Sequence, residues 1–126
     1  NKNKWDDNSL EYVEKRIRSH GLESICAFIE GDIRNTLDSF LNSPNLKKSA
    51  DAFHCKLLYI DTSSYTPAKI GMEKLYDHIV PGGIISIDQR SQGGETNAII
   101  EFCNEKSLEV TTGTFFNDIP AYIVKK

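Results

Sequence analysis

Residues 57–66 read LLYIDTSSYT, and residues 81–90 read PGGIISIDQR. Each is an apolar run that stops at an aspartate, Asp61 in the first and Asp88 in the second. KLLYID (56–61) is a continuous apolar run of strand length, as in a strand buried on both faces, and IISID (84–88) reads as the next strand. Between them Thr66-Pro67 has the composition of a helix start, with Thr as cap and Pro at the first helical position. Met72, Leu75, Tyr76 and Ile79 fall on one side of that helix as its buried stripe. Pro81-Gly82-Gly83 then turns the chain into the second strand. A strand, a helix and a strand in this order make a parallel pair with a right-handed crossover. Both aspartates therefore fall at carboxyl ends of strands, where open α/β sheets bind ligands.

The same alternation extends in both directions. Asn8 and Glu11 have capping-box spacing, and Leu10, Val13 and Ile17 follow on one helical face up to a stop at Gly21. SICAFIE (24–30) reads as a short strand ended by Gly31-Asp32, and Asn35 as the cap of a short helix through Phe40-Leu41. NSPNLKKSADAFH (42–54) is a polar loop, and SQGGET (91–96) a flexible one. A helix follows with Ile99, Phe102 and Cys103 inward, then strands at 108–116 and 121–126 broken by NDIP. The last two strands are too close for a helical crossover, so they pair as an antiparallel hairpin. The order predicts one α/β domain with helices on both faces of a mostly parallel sheet, residues 1–7 being frayed.

Composition narrows the function classes. The chain has 126 residues, 39% hydrophobic and 26% charged, enough apolar material for one core. A net charge of −3 with scattered basic residues argues against a nucleic-acid partner held by bulk charge. No apolar run approaches the ~20 residues of a membrane span, and no signal-peptide pattern opens the chain. Cys26, Cys55 and Cys103 have no metal-ligand spacing and read as free core thiols of a reducing cytoplasm. The first residue is Asn rather than Met, which reads as a cut piece of a longer protein.

Three acids, Asp32, Asp61 and Asp88, end apolar runs, and Gln89 follows the last. If the strands at 56–61 and 84–88 are neighbours, Asp61 and Asp88 lie about 5 Å apart, one strand spacing. Two carboxylates that close repel unless a cation or a donor stands between them. Oxygen ligands from Asp61, Asp88 and Gln89 suit a hard cation such as Mg²⁺. The alternative is that these acids cap following helices or bind loop amides. His54 and His78 are the visible candidates for a general base, and neither is strong. His54 precedes a strand at its amino end, and His78 reads as a surface residue.

From about Ser9 to Lys126 the chain resembles the C-terminal part of a class I S-adenosylmethionine-dependent methyltransferase, closest to the macrocin O-methyltransferase family. The resemblance is carried by GLESICAFIEGDIRNTLDSF (21–40), LLYIDTSSYTPAKIGMEKLYDHIVPGGIISID (57–88) and GETNAIIEFC (94–103). LYDHIVPGGIISID is its strongest portion. It implies a Rossmann-like methyltransferase sheet with a C-terminal antiparallel hairpin, and methyl transfer to a hydroxyl of a sugar or other small molecule. It also implies roles for the acids. Asp32 would sit near the adenine of S-adenosylmethionine, and Asp61 would face the methionine end and one side of a Mg²⁺. Asp88 and Gln89 would complete the protein ligands of that metal.

The departures from the family pattern matter as much. Ser63 stands where a second acid is usual after the first strand of the motif, and Gln89 where a second Asp is usual after the next. The glycine-rich turn after the family's first strand and the acid after its second are not in these residues. Their strands would lie between 24–30 and 56–61, so the sheet lacks its first two strands. This piece by itself is expected to bind the cofactor poorly and to self-associate through exposed strand edges. A non-catalytic Rossmann-like interaction domain is the competing expectation. Tyr65 and Arg90 flank the site as candidate substrate contacts.

Overall fold

The computed structural model describes residues 9–47, 53–87, 93–112 and 121–126. Residues 1–7, Asp88, Gln89, Arg90 and the NDIP break lie outside the described residues, and so do the expectations placed on them. Two compact units divide the chain, Asn1–Asp32 and Ile33–Lys126.

The first unit holds helix α1 (Leu10–Ser19). Ser9, one residue beyond the expected Asn8, caps it by accepting the Tyr12 amide at 3.3 Å. At its other end the Gly21 amide donates to the Arg18 carbonyl and the Leu22 amide to that of Ile17, with Gly21 at φ +68°. This is the paired ending that a left-handed residue permits, so the expected stop at Gly21 holds. Leu10 and Val13 face Phe28, Ile29 and Glu30 across an apolar cleft of about 220 Å³. The strand expected at 24–30 does not form. Residues 23–25 turn and 26–30 are irregular, because no described strand pairs with them. A strand without a ladder partner has no hydrogen bonds to define it.

The second unit opens with α2 (Ile33–Leu41), two residues ahead of the expected cap at Asn35. A single turn, α3 (Pro44–Lys47), interrupts the expected polar loop. Strand β1 (Cys55–Ile60), helix α4 (Tyr65–Leu75) with a 3₁₀ turn at Tyr76–His78, and β2 (Ile79–Ile87) form the expected βαβ unit. Helix α5 (Gly94–Lys106) follows, then β3 (Thr111–Thr112) and β4 (Ala121–Val124). The sheet order is β1-β2-β4-β3. The β1/β2 pair is parallel, with Ile60 opposite Ile87; the β2/β4 and β3/β4 pairs are antiparallel. The closing antiparallel pair is the one the sequence predicts.

One face of the sheet is covered. Leu58 and Ile60 of β1, Ile85 and Ile87 of β2, and Ala121 and Ile123 of β4 pack with Ala68 and Met72 of α4. Ala98, Ile99, Phe102 and Cys103 of α5 complete this core. The inward placement of Met72, Ile99, Phe102 and Cys103 is as read from their spacing. Among the described residues of this unit the other face carries exposed apolar side chains, where helices on both sides were expected. Leu57 is 62% exposed and Tyr59 56%, and Ile84 and Val124 are exposed in the same row as Leu57. No helix among the described residues is long and apolar enough to cross a membrane.

Pro81-Gly82-Gly83 does not end a helix–strand turn but lies inside β2. There the pairing slips, Cys55 facing Ile79 while Leu57 faces Ile84. The slip brings the strand onto its own start: a Cβ on Gly83 would stand 2.6 Å from Ile79 Cγ2 and 2.8 Å from the Val80 carbonyl oxygen. Backbone cannot yield to such a contact as a flexible side chain can. Gly83→Ala should therefore destabilise the chain by about 1–3 kcal/mol, the usual scale of overpacking. Chemical denaturation checks this; an unchanged midpoint would mean that the irregularity adapts freely.

Candidate functional site

The site is built where β1 and β2 end side by side. Ile60 pairs with Ile87 in parallel, so the chain leaves both strands at the same edge of the sheet. From β1 it runs Asp61-Thr62-Ser63-Ser64 into α4, which starts at Tyr65 with Ser64 as its N-cap residue. This is two residues earlier than the Thr66 cap read from sequence, and it places Pro67 at the third helical position. Proline is tolerated there because the first amides of a helix have no internal acceptor. Asp61 is exposed at the start of this turn.

A buried acid holds the turn. Glu95, the second residue of α5, is 1% exposed. Its Oε2 accepts the Ser63 amide at 2.6 Å and also the Thr62 amide. The Thr62 hydroxyl lies 2.9 Å from the same oxygen and 3.2 Å from the Ser64 carbonyl, so its one proton serves two acceptors. Two successive amides aimed at one anion need an unusual backbone, and Ser63 adopts it at φ +55°. The start of α5 reaches this turn because residue 94 is glycine. A Cβ there would stand 2.6 Å from the Tyr65 nitrogen and 2.9 Å from its Cβ.

A second tie lies further along the two helices. The Tyr65 hydroxyl donates to Glu101 Oε2 at 2.5 Å, and Lys69 Nζ lies 3.1 Å from the Tyr65 oxygen and 3.5 Å from Glu101. The Tyr65 hydrogen bond, then Lys69, hold the Glu101 carboxyl below its usual range. Tyr65, then Glu101, hold the Lys69 ammonium above its own. Tyr65, expected as a substrate contact, thus spends its hydroxyl on the α4–α5 contact.

The remaining expected residues fall as follows. Asp32 stands just before α2 and is exposed, at the end of the first unit, while Asp61 belongs to the second. Asp88 and Gln89 follow the described end of β2 and lie outside the described residues. Among the described residues no group of three His, Cys, Asp or Glu could hold a metal ion. His78, read as a surface residue, is half-buried; its Nδ1 lies 3.2 Å from the Phe53 carbonyl oxygen and its ring meets Phe53. His54 is exposed ahead of the amino end of β1, away from the site. The three cysteines are free; Cys103 is in the core, where burial pushes its thiol pKa up. Glu95 is the residue that sequence reasoning missed. Its one legible signal is its place in the first turn of a helix right after Gly93-Gly94, and nothing in the sequence tells that it is buried.

Comparison with solved structures decides the fold. The O-methyltransferase NovP superposes with a TM-score of 0.70 at 19% identity, over 94% of this chain and 45% of that one. The fold is that of the class I methyltransferases. CalS11, the TDP-rhamnose 3'-O-methyltransferase of calicheamicin biosynthesis, gives 0.63 at 20% identity over 90% of this chain and 49% of that one. A protein described as an rRNA-methylase from Clostridium thermocellum gives 0.66 at 18% identity, over 95% and 68%. The chain spans about half the length of the two O-methyltransferases. No protein-family model and no curated sequence matches it. Within this methyltransferase fold β1 and β2 are the parallel strands whose carboxyl ends carry Asp61 and, next after Ile87, Asp88.

The Tyr65 tie sets a pH dependence. A carboxyl whose folded pKa is depressed stabilises the fold above its unfolded value and loses that contribution as pH falls through the folded one. Tyr65→Phe should move the Glu101 midpoint up towards its ordinary 4.5 and the Lys69 midpoint down towards 10.5. Side-chain NMR titration reads both. Unmoved midpoints would show that the hydroxyl is not engaged in solution.

Proposed function

We propose that the chain is part of an S-adenosylmethionine-dependent O-methyltransferase of the macrocin type, acting on a hydroxyl of a sugar or other small molecule. The observation that supports this most is the ordered turn presenting Asp61 at the carboxyl end of β1, beside that of β2, in a fold shared with NovP and CalS11. S-adenosylmethionine, when bound, supplies a methyl group on a sulfonium sulfur. That methyl would pass from the sulfur to the substrate hydroxyl oxygen, with the hydroxyl proton going to water. Asp61 would accept hydrogen bonds from the methionine end of the cofactor, and Asp32 from its adenine.

The histidines nearest to a base role sit elsewhere: His78 is turned to Phe53 and His54 lies at the opposite end of β1. Holding the hydroxyl in line with the methyl group is then the main contribution of the protein. Mg²⁺ assistance depends on Asp88 and Gln89. With Asp61 they would offer three of the about six oxygen ligands that a hard cation takes. The competing reading, a non-catalytic interaction domain, draws on Ser63 in place of an acid.

Isothermal titration of the full-length protein with S-adenosylmethionine, with and without Mg²⁺, tests the proposal. Micromolar binding is expected, weakened about tenfold or more in Asp61→Ala, the loss of a charge-assisted contact. Absence of binding in the full-length protein would favour the non-catalytic reading.

A further inference from the structure

We propose that Glu95 is a positioning residue for Asp61: its buried carboxylate holds residues 62–63 in the shape that aims Asp61 at the cofactor. The inference rests on the function proposed above and adds a residue to it.

A carboxylate removed from water is costly unless hydrogen bonds replace its solvent. Glu95 finds them in one place: the successive amides of Thr62 and Ser63 and the Thr62 hydroxyl all converge on Oε2. Its position in the first turn of α5 adds the favourable field of a helix start. Ser63 at φ +55° is in a region that non-glycine residues avoid, and such a conformation persists only where its surroundings over-determine it. The converging amides supply that determination, since relaxing Ser63 to negative φ would swing at least one of them off the carboxylate. Gly94 lets the α5 backbone touch that of Tyr65, so the carboxylate approaches the turn from a fixed helix end rather than from a mobile loop.

Asp61 is the residue directly before the two captured amides, and it leads out of β1. Its direction is set on one side by the β1 ladder and on the other by Glu95. Without the carboxylate, the Thr62 and Ser63 amides lose their acceptor and the turn relaxes, carrying Asp61 with it. Glu95 acts through the backbone, on cofactor affinity rather than on the bond being made.

The test compares the full-length wild type with Glu95→Ala, Glu95→Gln and Thr62→Val, reading S-adenosylmethionine affinity by calorimetry and amide hydrogen exchange by NMR. Gly83→Ala serves as a control, destabilised at the irregularity inside β2 rather than at the turn after β1. Glu95→Ala should bind about tenfold or more weakly, the usual scale for a misplaced binding group. Its Thr62 and Ser63 amides should exchange fast while those of Ile99–Cys103 stay protected. Glu95→Gln, which keeps one acceptor oxygen, should recover part of the affinity, and Gly83→Ala should bind as the wild type does. Wild-type affinity in Glu95→Ala, or an equal loss in Gly83→Ala, would overturn the positioning role while leaving the cofactor reading in place. A wild type that does not bind would overturn both. Should Glu95→Ala not fold, Thr62→Val decides: weaker binding supports the role, and unchanged binding overturns it.

Discussion

One carboxylate, that of Glu95, joins the three elements on which the candidate site depends. It belongs to α5, it captures the end of β1, and the turn it captures is the entrance to α4. The Gly94–Tyr65 contact makes this possible by removing the side chain that would hold the two helix starts apart. Further along, Tyr65, Lys69 and Glu101 tie the same two helices from the solvent side. The α4–α5 layer is thus fixed twice, once by a buried anion at its start and once by an exposed polar cluster. The buried contact carries more of the geometry, because it has no water to compete with it.

The sheet beneath this layer has an internal tension. By composition β1 is a central strand, apolar on both faces. By position among the described residues it is an edge strand, with β2 on one side and exposed Leu57 and Tyr59 above. Edge strands are usually blunted by charge, proline or a bulge in the outward-facing edge. The irregularity at Pro81–Gly83 lies instead in β2, its neighbour among the described strands. The O-methyltransferases that share this fold have chains about twice as long as the portion matched here.

The sequence was most informative where one physical cause dominates. The strand positions of β1 and β2 and the inward spacing of Ile99, Phe102 and Cys103 follow from burial as read, whereas burial of both strand faces does not: Leu57, Tyr59 and Ile84 are exposed. The hairpin pairing of β3 with β4 follows from the short connection. The 24–30 segment misled because apolar composition does not create a strand; a ladder partner does, and no described strand lies beside it. Thr66-Pro67 alone does not fix the start of α4, which lies two residues earlier, because Pro67 is compatible with several positions in a first turn. Tyr65 looked like a ligand contact because it follows the acidic strand end, yet the hydroxyl is claimed by residues four and thirty-six positions away. Glu95 was invisible for the complementary reason: an acid in a glycine-rich, polar stretch carries no sign that its partners are backbone amides more than thirty residues earlier.

The central claim is that the turn leaving β1 is the cofactor-binding edge of the sheet. Its most direct test is an amide chemical-shift map of the ¹⁵N-labelled full-length protein on addition of S-adenosylhomocysteine. The account predicts that the largest shifts gather at residues 61–65, with the exposed face around Leu57 and Ile84 unmoved. Shifts concentrated away from that turn, or none at saturating ligand, would contradict it.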